Sequence, residues 1–546
     1  MAFPNTSAGT YSAEQDLSIR ATAAATSIGV IVGEAPMGPV GVPTLVTDRA
    51  DVREKFGIKN AKKYGFGLYS AEIFLAQSKR LFYTRVVDPA TARTAGAYLS
   101  VDDMNAEYPV IKLVNFDDGT NQPLGVLGDP LKTLGFVNGT IGVENAMLYF
   151  CAANPGKWNN RLSIQVRPSN TAGTEVGEHS DPFQFVVDVF IDYTGTGNTP
   201  VESFLCSRKN EIDGNNQQLF VEDVINLRSA YIRVKNNSLC KPVRVGKAAF
   251  EQLDGGADGD RPKQVDLINA WDLYEDKEQI LVNLLINSGY TTTAYQKKMD
   301  SIAKMRGDCV ALLDLPDDMA QVSRAVNYRR NTLNLNSSYS AIYAPFVEVL
   351  DTDSNKNIFI PPSAFVGAAC AYTDTNRAVW FAPAGLNRGQ VNVRSLRQRY
   401  NQGARDALDA AQVNIIRNIP GRGFVIMGQS TMQTFDSGFS NLNVRRLVNF
   451  IKTSIEAATV PSVFNPNDGF ERLKLKNICD DFMRPIKSGR GVYEWVTICD
   501  ERNNKPASIA NNDIKLDLII DPEIPAKRAH LGANVQPTGA VSFTEA

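Results

Sequence analysis

The chain has 546 residues, 43% of them hydrophobic and 21% charged, with 57 basic side chains against 59 acidic ones and a formal net charge of −2. That is globular composition, which excludes disorder as the main state, and at about 100–200 residues per domain the length implies about three to five compact units. Charge so close to balance gives no bulk electrostatic ground for nucleic acid as the principal partner.

The first 19 residues hold no Lys or Arg and no continuous apolar stretch, so they lack both halves of a secretory signal, and a cytoplasmic site of synthesis is expected. From Thr10 to Arg20 polar residues occupy the even positions, while Tyr11, Ala13, Leu17 and Ile19 stand on odd ones. The C-terminal tail alternates in the same way, with Val535, Val541 and Phe543 set among Asn534, Gln536, Thr538, Ser542 and Thr544. Alternation of this kind predicts a strand with one face to bury, and a lone strand must find a partner. Each arm can pair with its own domain's sheet or with a neighbouring subunit, and the residues alone leave both open.

The apolar run Ala21 to Gly33 is broken by threonines and falls short of the roughly 18–20 residues that span a bilayer, so no membrane insertion is expected. From Ala21 to about Asp88 the runs SIGVIVG and TLVTD, the helical RADVREKFG and LYSAEIFLAQ, and the strand RLFYTRVV form an α/β pattern. Between 96 and 251 the character shifts to short strands (YPVIKLVNF, RLSIQVRP, FQFVVDVFIDY) separated by Asn, Gly, Asp and Pro turns, the pattern of a β-rich insertion. After the turn LDGGADG at 253–259 the α/β pattern resumes. ILVNLLI, CVALLDLP and SAIYAPFVEVL read as buried strands and TAYQKKMDSIAKMRG as a helix, implying a sheet covered on both faces. Leu396, Tyr400, Ala404, Ala407, Leu408 and Ala411 mark one helical stripe, and VNIIRNI and GFVIMG a strand pair. Val444, Leu447, Val448, Ile451 and Ile455 mark a second amphipathic helix, a third runs from about Phe470 to Lys487, and VYEWVTICD reads as a strand before the alternating Ile514, Leu516, Leu518 and Ile520. The fold class expected is therefore α/β: a discontinuous multi-domain α/β core with a β-rich insertion and extended N- and C-terminal β-strand arms. The boundaries expected are an arm at 1–20, core at 21–95, insertion at 96–251, core at 252–525 and an arm at 526–546.

Chemistry is sparse. The seven cysteines form no CxxC pair; most sit in apolar contexts, while Cys206 and Cys240 lie in more polar ones and are the better candidates for a crosslink. The only histidines, His179 and His530, lie in a polar segment and near the C-terminus, settings that suit neither a catalytic triad nor a metal centre. LDGGADGD lacks the spacing of a calcium loop and reads as a sharp turn, and neither PGRGF nor the GK pairs at Gly156-Lys157 and Gly246-Lys247 complete a phosphate cradle. Arg329-Arg330, Arg394/Arg397/Arg399 and Arg445-Arg446 read as solvated helix faces or subunit contacts. No catalytic residue, metal or cofactor is expected. An enzyme using the sheet's C-terminal edge would need a convergent polar site that the residues do not display.

Five stretches carry a resemblance: GTYSAEQDLS (9–18), VGEAPMGPVGVPTLVTDRADVREKFG (32–57), LDGGADG (253–259), IPPSAFVGAACAYTDTNRAVWFAPAG (360–385) and NVRRLVNFIKTSIEAATVPSVFNPND (443–468). In that order they resemble the tail sheath proteins of contractile-tailed bacteriophages, a family that includes the sheaths of R-type bacteriocins and related injection devices. The resemblance implies a non-enzymatic subunit of the virion tail, assembled in the host bacterial cytoplasm. It implies as partners the chain itself, in a helical homopolymer of stacked rings, together with the tail tube, baseplate and tail terminator proteins, and neither nucleic acid nor an inserted membrane. It further implies that the arms, through Tyr11, Leu17, Ile19, Val535, Val541 and Phe543, add strands to neighbouring subunits. An inward helix of the C-terminal core would face the tube. Glu471, Arg472, Lys474, Lys476, Asp480 and Asp481 are the candidate residues, because a contact that must release favours a few charged side chains over an apolar patch. Another structural component of the tail is the alternative reading.

Overall fold

The computed structural model describes residues 23–101, 111–115, 146–169, 184–195, 198–212, 216–237, 240, 245, 248–506 and 511–527. Two compact units divide them: Ala25–Ala378 with Pro383–Phe435, and a smaller one built from residues 23–24, 379–382 and 436–527. The α/β class holds, with helices and several sheets.

In the larger unit, β1 (Gly29–Gly33), β2 (Thr44–Val46), α1 (Arg49–Phe56), α2 (Ala61–Tyr64), α3 (Gly67–Leu75) and β3 (Leu81–Arg85) open the α/β layer. Asp48 starts α1 by accepting the Asp51 amide at 2.8 Å, and Asn60 starts α2 by accepting the amides of Lys62 and Lys63. Antiparallel strands follow: β4 (Gly96–Val101), β5 (Ile111–Asn115), β6 (Ala146–Ala152), β7 (Leu162–Pro168), β8 (Gln184–Ile191) and β9 (Glu202–Ser207), then α4 (Val221–Arg228), β10 (Ile232–Asn236) and β11 (Ala249–Gln252). They form two four-stranded sheets, β10-β6-β4-β5 and β11-β7-β8-β9, whose inward residues, among them Leu99, Phe150, Ile164, Val187 and Ile232, share one apolar cluster.

The chain then returns through α5 (Gln264–Asn269), β12 (Leu284–Ile286), α6 (Thr293–Arg306), β13 (Val310–Asp314), α7 (Val322–Asn327), β14 (Ser340–Ala344), β15 (Val347–Asp351), β16 (Lys356–Ile360), α8 (Ser363–Asn376), β17 (Gln390–Val391), β18 (Ser395–Leu396), α9 (Gln402–Ala410), β19 (Val413–Ile419) and β20 (Gly423–Ile426). A nine-stranded sheet results, in the order β17-β20-β19-β14-β13-β12-β1-β3-β2. Its strands from β19 through β3 are parallel. GVIVG, VALLD and SAIYA are buried along their whole length, as strands covered on both faces must be.

Two expectations need correction here. SAIYAPFVEVL is two strands: Pro345, which lacks an amide to donate, separates β14 in the parallel sheet from β15, which pairs antiparallel with β16 and β18. The stripe from Leu396 to Ala411 is not one helix. Leu396 belongs to β18 and Tyr400 to the loop, because Asn401 caps α9 by accepting the Ala404 amide at 2.9 Å.

The smaller unit contains α10 (Leu442–Thr459), α11 (Gly469–Ser488), β21 (Val492–Ile498) and β22 (Asp517–Pro522). Leu447, Ile451 and Ile455 of α10 meet Cys479, Phe482, Met483 and Ile486 of α11, with Trp380 and Trp495 packed against them. The Trp380 indole donates to the Gly489 carbonyl at 2.8 Å, and the Ala24 amide reaches the Ser454 hydroxyl at 3.0 Å.

Candidate functional site

Among the described residues β21 and β22 pair only with each other, antiparallel, leaving the outer edge of each strand open. Trp495, Leu518 and Ile520 turn inward onto α10 and α11, so the hairpin has one packed face. On the other face Val496 stands opposite Ile519, and they are 48% and 59% exposed, too high for a pair of β-branched residues with a finished environment. A two-stranded sheet is marginal alone and gains from further strands.

Helix α11, which carries the six candidate tube-facing charges, does not present them as one row. Asp468 caps it by accepting the Glu471 amide at 2.8 Å, and the first turn folds back on its own entry loop. Glu471 is buried and accepts from the Asn465 amide at 3.0 Å, which holds its carboxyl below the usual range, while the buried Arg472 donates to Asn467 Oδ1 at 2.8 Å. Lys474 pairs back to Glu471 at 3.1 Å. Asp480 accepts from Trp495 Nε1 at 2.9 Å and Thr497 Oγ1 at 2.7 Å, tying α11 to β21. Lys476 is half-buried, and Asp481 is exposed and pairs with Arg484 at 2.9 Å. The exposed row of the helix is instead Phe470, Leu473, Asn477, Asp481, Arg484 and Ser488. Just before it, Phe464 is fully exposed with φ +69°, a left-handed conformation that costs a bulky side chain strain.

In the larger unit the turn LDGGADG is a junction. One oxygen of Asp258 accepts from Lys63 Nζ and from the Tyr64 hydroxyl at 2.9 Å, and the other accepts the Lys157 amide at 2.8 Å. Burial raises the Asp258 pKa, but the hydrogen bonds from Lys63, Lys157 and Tyr64 outweigh it and leave the carboxyl below its ordinary value. Gly259 adopts φ +73°, and a Cβ there would meet the Ala92 amide nitrogen at 2.5 Å, so the turn demands glycine. Arg85 is buried at the end of β3 and donates to the carbonyls of Ala35, Gly38 and Pro155, each at 2.8 Å. Desolvation pushes its pKa down to about 10.

At the C-terminal end of β13, Asp314 is fully buried and its pKa is pushed up to about 6 by burial. Its carboxylate accepts from Ser363 N–H and Oγ–H at 2.7 Å each, Gly289 N–H at 3.0 Å and Asn287 Nδ2 at 3.2 Å. Those donors occupy its lone pairs, so it stitches the β12–α6 loop, β13 and the start of α8 together instead of standing ready for chemistry. The signal for it in the sequence is an Asp closing the apolar run CVALLD.

Residues 262–432 match the family model of the phage tail sheath protein central domain. The chain carries a phage tail sheath domain. It is 32% identical over 278 residues to the tail sheath protein of Enterobacteria phage T4, covering 47% of this chain and 42% of that protein. It is 28% identical over 349 residues to the tail sheath protein of Vibrio phage KVP40, covering 59% of this chain and 51% of that protein. The chain thus spans about half the length of these curated relatives. Its fold is similar to the crystal structure of a sheath tail protein from Listeria innocua, with a TM-score of 0.58 and 12% identity over 92% of this chain and 93% of that one.

Two further expectations need correction. Arg329 is buried and donates to the Met432 carbonyl at 2.6 Å, and Arg445 and Arg446 are buried as well, so these are not solvated faces. Cys206 and Cys240, read as polar in context, both lie in the apolar cluster of the β-rich part, where burial raises their thiol pKa values, up to about 12 for Cys206. The arm residues Tyr11, Leu17, Ile19, Val535, Val541 and Phe543, and both histidines, lie outside the described residues.

Proposed function

We propose that the chain is the structural, non-enzymatic subunit of a contractile tail sheath. It polymerises around a tail tube as stacked rings in a metastable extended lattice, and contraction drives the tube through the host cell envelope. The baseplate triggers the change and a terminator protein closes the far end. The N- and C-terminal arms, residues 10–20 and 533–545, add strands to neighbouring copies, so backbone hydrogen bonds keep the mesh connected while the bodies reorient. The hairpin β21–β22, with both outer edges open among the described residues and the exposed Val496–Ile519 pair on its free face, is the observation that carries this reading, because it suits strand addition on either side.

Tube contact falls to α11. Of the six charges named for it, Lys476 and Asp481 keep the most freedom to reach a partner, since Glu471, Arg472, Lys474 and Asp480 are engaged within the unit. Negative-stain electron microscopy of the full chain, and of variants lacking residues 1–18 or 532–546, tests the proposal. Hollow polymers that vanish on losing either arm support it; discrete particles indifferent to both deletions refute it.

A further inference from the structure

Although the whole chain is near neutral, between Arg388 and Arg422 it carries seven arginines and no lysine against two carboxylates, Asp406 and Asp409. The fold gathers this stretch at one lateral end of the nine-stranded sheet. Gln390 of β17 pairs with Val425 of β20, and Val425 pairs in turn with Arg417 of β19. Arg422 occupies the turn that follows β19, and Arg397 bonds Asp317, just past the C-terminal end of β13, at 3.3 Å. These arginines therefore lie toward the C-terminal edge of the parallel strands.

The charge there is poorly neutralised. Among the described residues Arg399, Arg417 and Arg422 form no ion pair, and the buried Nε of Arg417 has no acceptor. Burial, and then the positive charge of Arg405 on α9, lower the pKa of Arg417. Like charges held together with few carboxylates repel one another, and an acidic surface brought against the edge would relieve that cost.

The complement is in the same chain. From Asp266 to Glu278 the sequence has five carboxylates and one lysine. Lys298 engages Asp272 and Glu275, whereas Asp276 and Glu278 are exposed and form no ion pair among the described residues. This stretch leads into β12, at the N-terminal edge of the strands. Because β12, β13, β14 and β19 are all parallel, the arginine edge and the acidic edge lie at opposite ends of one sheet. Copies stacked in the same orientation bring one against the other, a head-to-tail contact that forms a ring or an open helix according to the rotation between copies.

We propose that the arginine-rich C-terminal edge of the sheet, around Arg399, Arg417 and Arg422, docks on the acidic edge around Asp276 and Glu278 of a second copy. The contact rests on the polymer reading above and adds an interface between the bodies of neighbouring copies. Its charge pairs lie at a solvated rim, so they give register and assembly rate and weaken with salt.

The test uses the full chain and compares R399E/R422E, D276K/E278K and the combination of all four changes, with thermal melting to verify folding and sedimentation to read polymer yield. Each double variant is expected to melt like the parent and to lose about tenfold in polymer yield at about 0.15 M salt, and the combined variant to regain most of it. Parent polymers with both double variants polymerising normally would overturn this contact while leaving the sheath reading intact. Double variants that fail without recovery in the combination would overturn the pairing. Normal polymers together with lost retention on heparin in R399E/R422E would assign the edge to a free polyanion and overturn it too. A parent chain that never polymerises removes both readings.

Discussion

The Tyr64 hydroxyl donates to the Asp258 carboxylate at 2.9 Å across 194 positions of sequence, and the same carboxylate holds the Lys157 amide at 2.8 Å. One side chain thus ties the α/β layer to the start of the segment that leads into β7. Replacing it by Asn removes the charge and part of the acceptor capacity that Lys63, Tyr64 and Lys157 share, so D258N is expected to cost about 1–3 kcal/mol in urea unfolding at neutral pH. The depressed pKa sets the pH sign. The stabilisation is present above the unfolded value and lost as pH falls through the folded one, so the gap between parent and variant should shrink below about pH 4. A gap that widens in acid would contradict this assignment.

Arg85 is the second tie at that junction. R85M keeps much of the volume but leaves the carbonyls of Ala35, Gly38 and Pro155 without their donor. The expected loss is at least about 1–3 kcal/mol, the cost of leaving a buried acceptor without its donor. R85K should recover little of it, since an ammonium cannot reproduce the planar fork. Denaturant midpoints of the two variants read this directly.

For Asp314 the linkage runs the other way. Its folded pKa, about 6, lies above the unfolded value, so its contribution is fully present below about pH 4 and lost as pH rises through about 6. D314N does not titrate. The stability advantage of the parent over D314N is therefore expected to fall by an amount on the order of 3 kcal/mol between about pH 4 and pH 7. An advantage that stays constant or grows across that range would mean the carboxylate is not desolvated as described.

Phe464 carries backbone strain while its side chain is fully exposed. Asn tolerates the left-handed region far better, so F464N is expected to stabilise the chain by about 1 kcal/mol, read as a higher melting temperature. A destabilised F464N would show that the ring packs on the protein.

Much of this architecture was legible because burial on both faces writes itself into composition: VALLD, SAIYA and VNIIRNI could be little else than strands, and the stripe Leu447, Ile451, Ile455 little else than a packed helix face. What escaped was set by contacts distant in sequence or by a single cap. Asn401 started α9 later than the apolar spacing suggested, and Pro345 split one apolar run between two sheets. Charge alone does not reveal which side chains are engaged within the unit at α11, where Glu471 and Arg472 are folded back by Asn465 and Asn467, nor at Arg329, whose acceptor Met432 lies 103 positions away. Nothing in those local sequences distinguishes a solvated charge from one satisfied by a remote carbonyl.

Electron cryomicroscopy of the assembled polymer tests the central claim most directly, by counting the strands hydrogen-bonded to β21 and β22. The expected result is a sheet enlarged by strands from neighbouring chains, with the Val496–Ile519 face covered. Polymers in which β21 and β22 remain a two-stranded hairpin, with copies joined only through their bodies, would contradict the account.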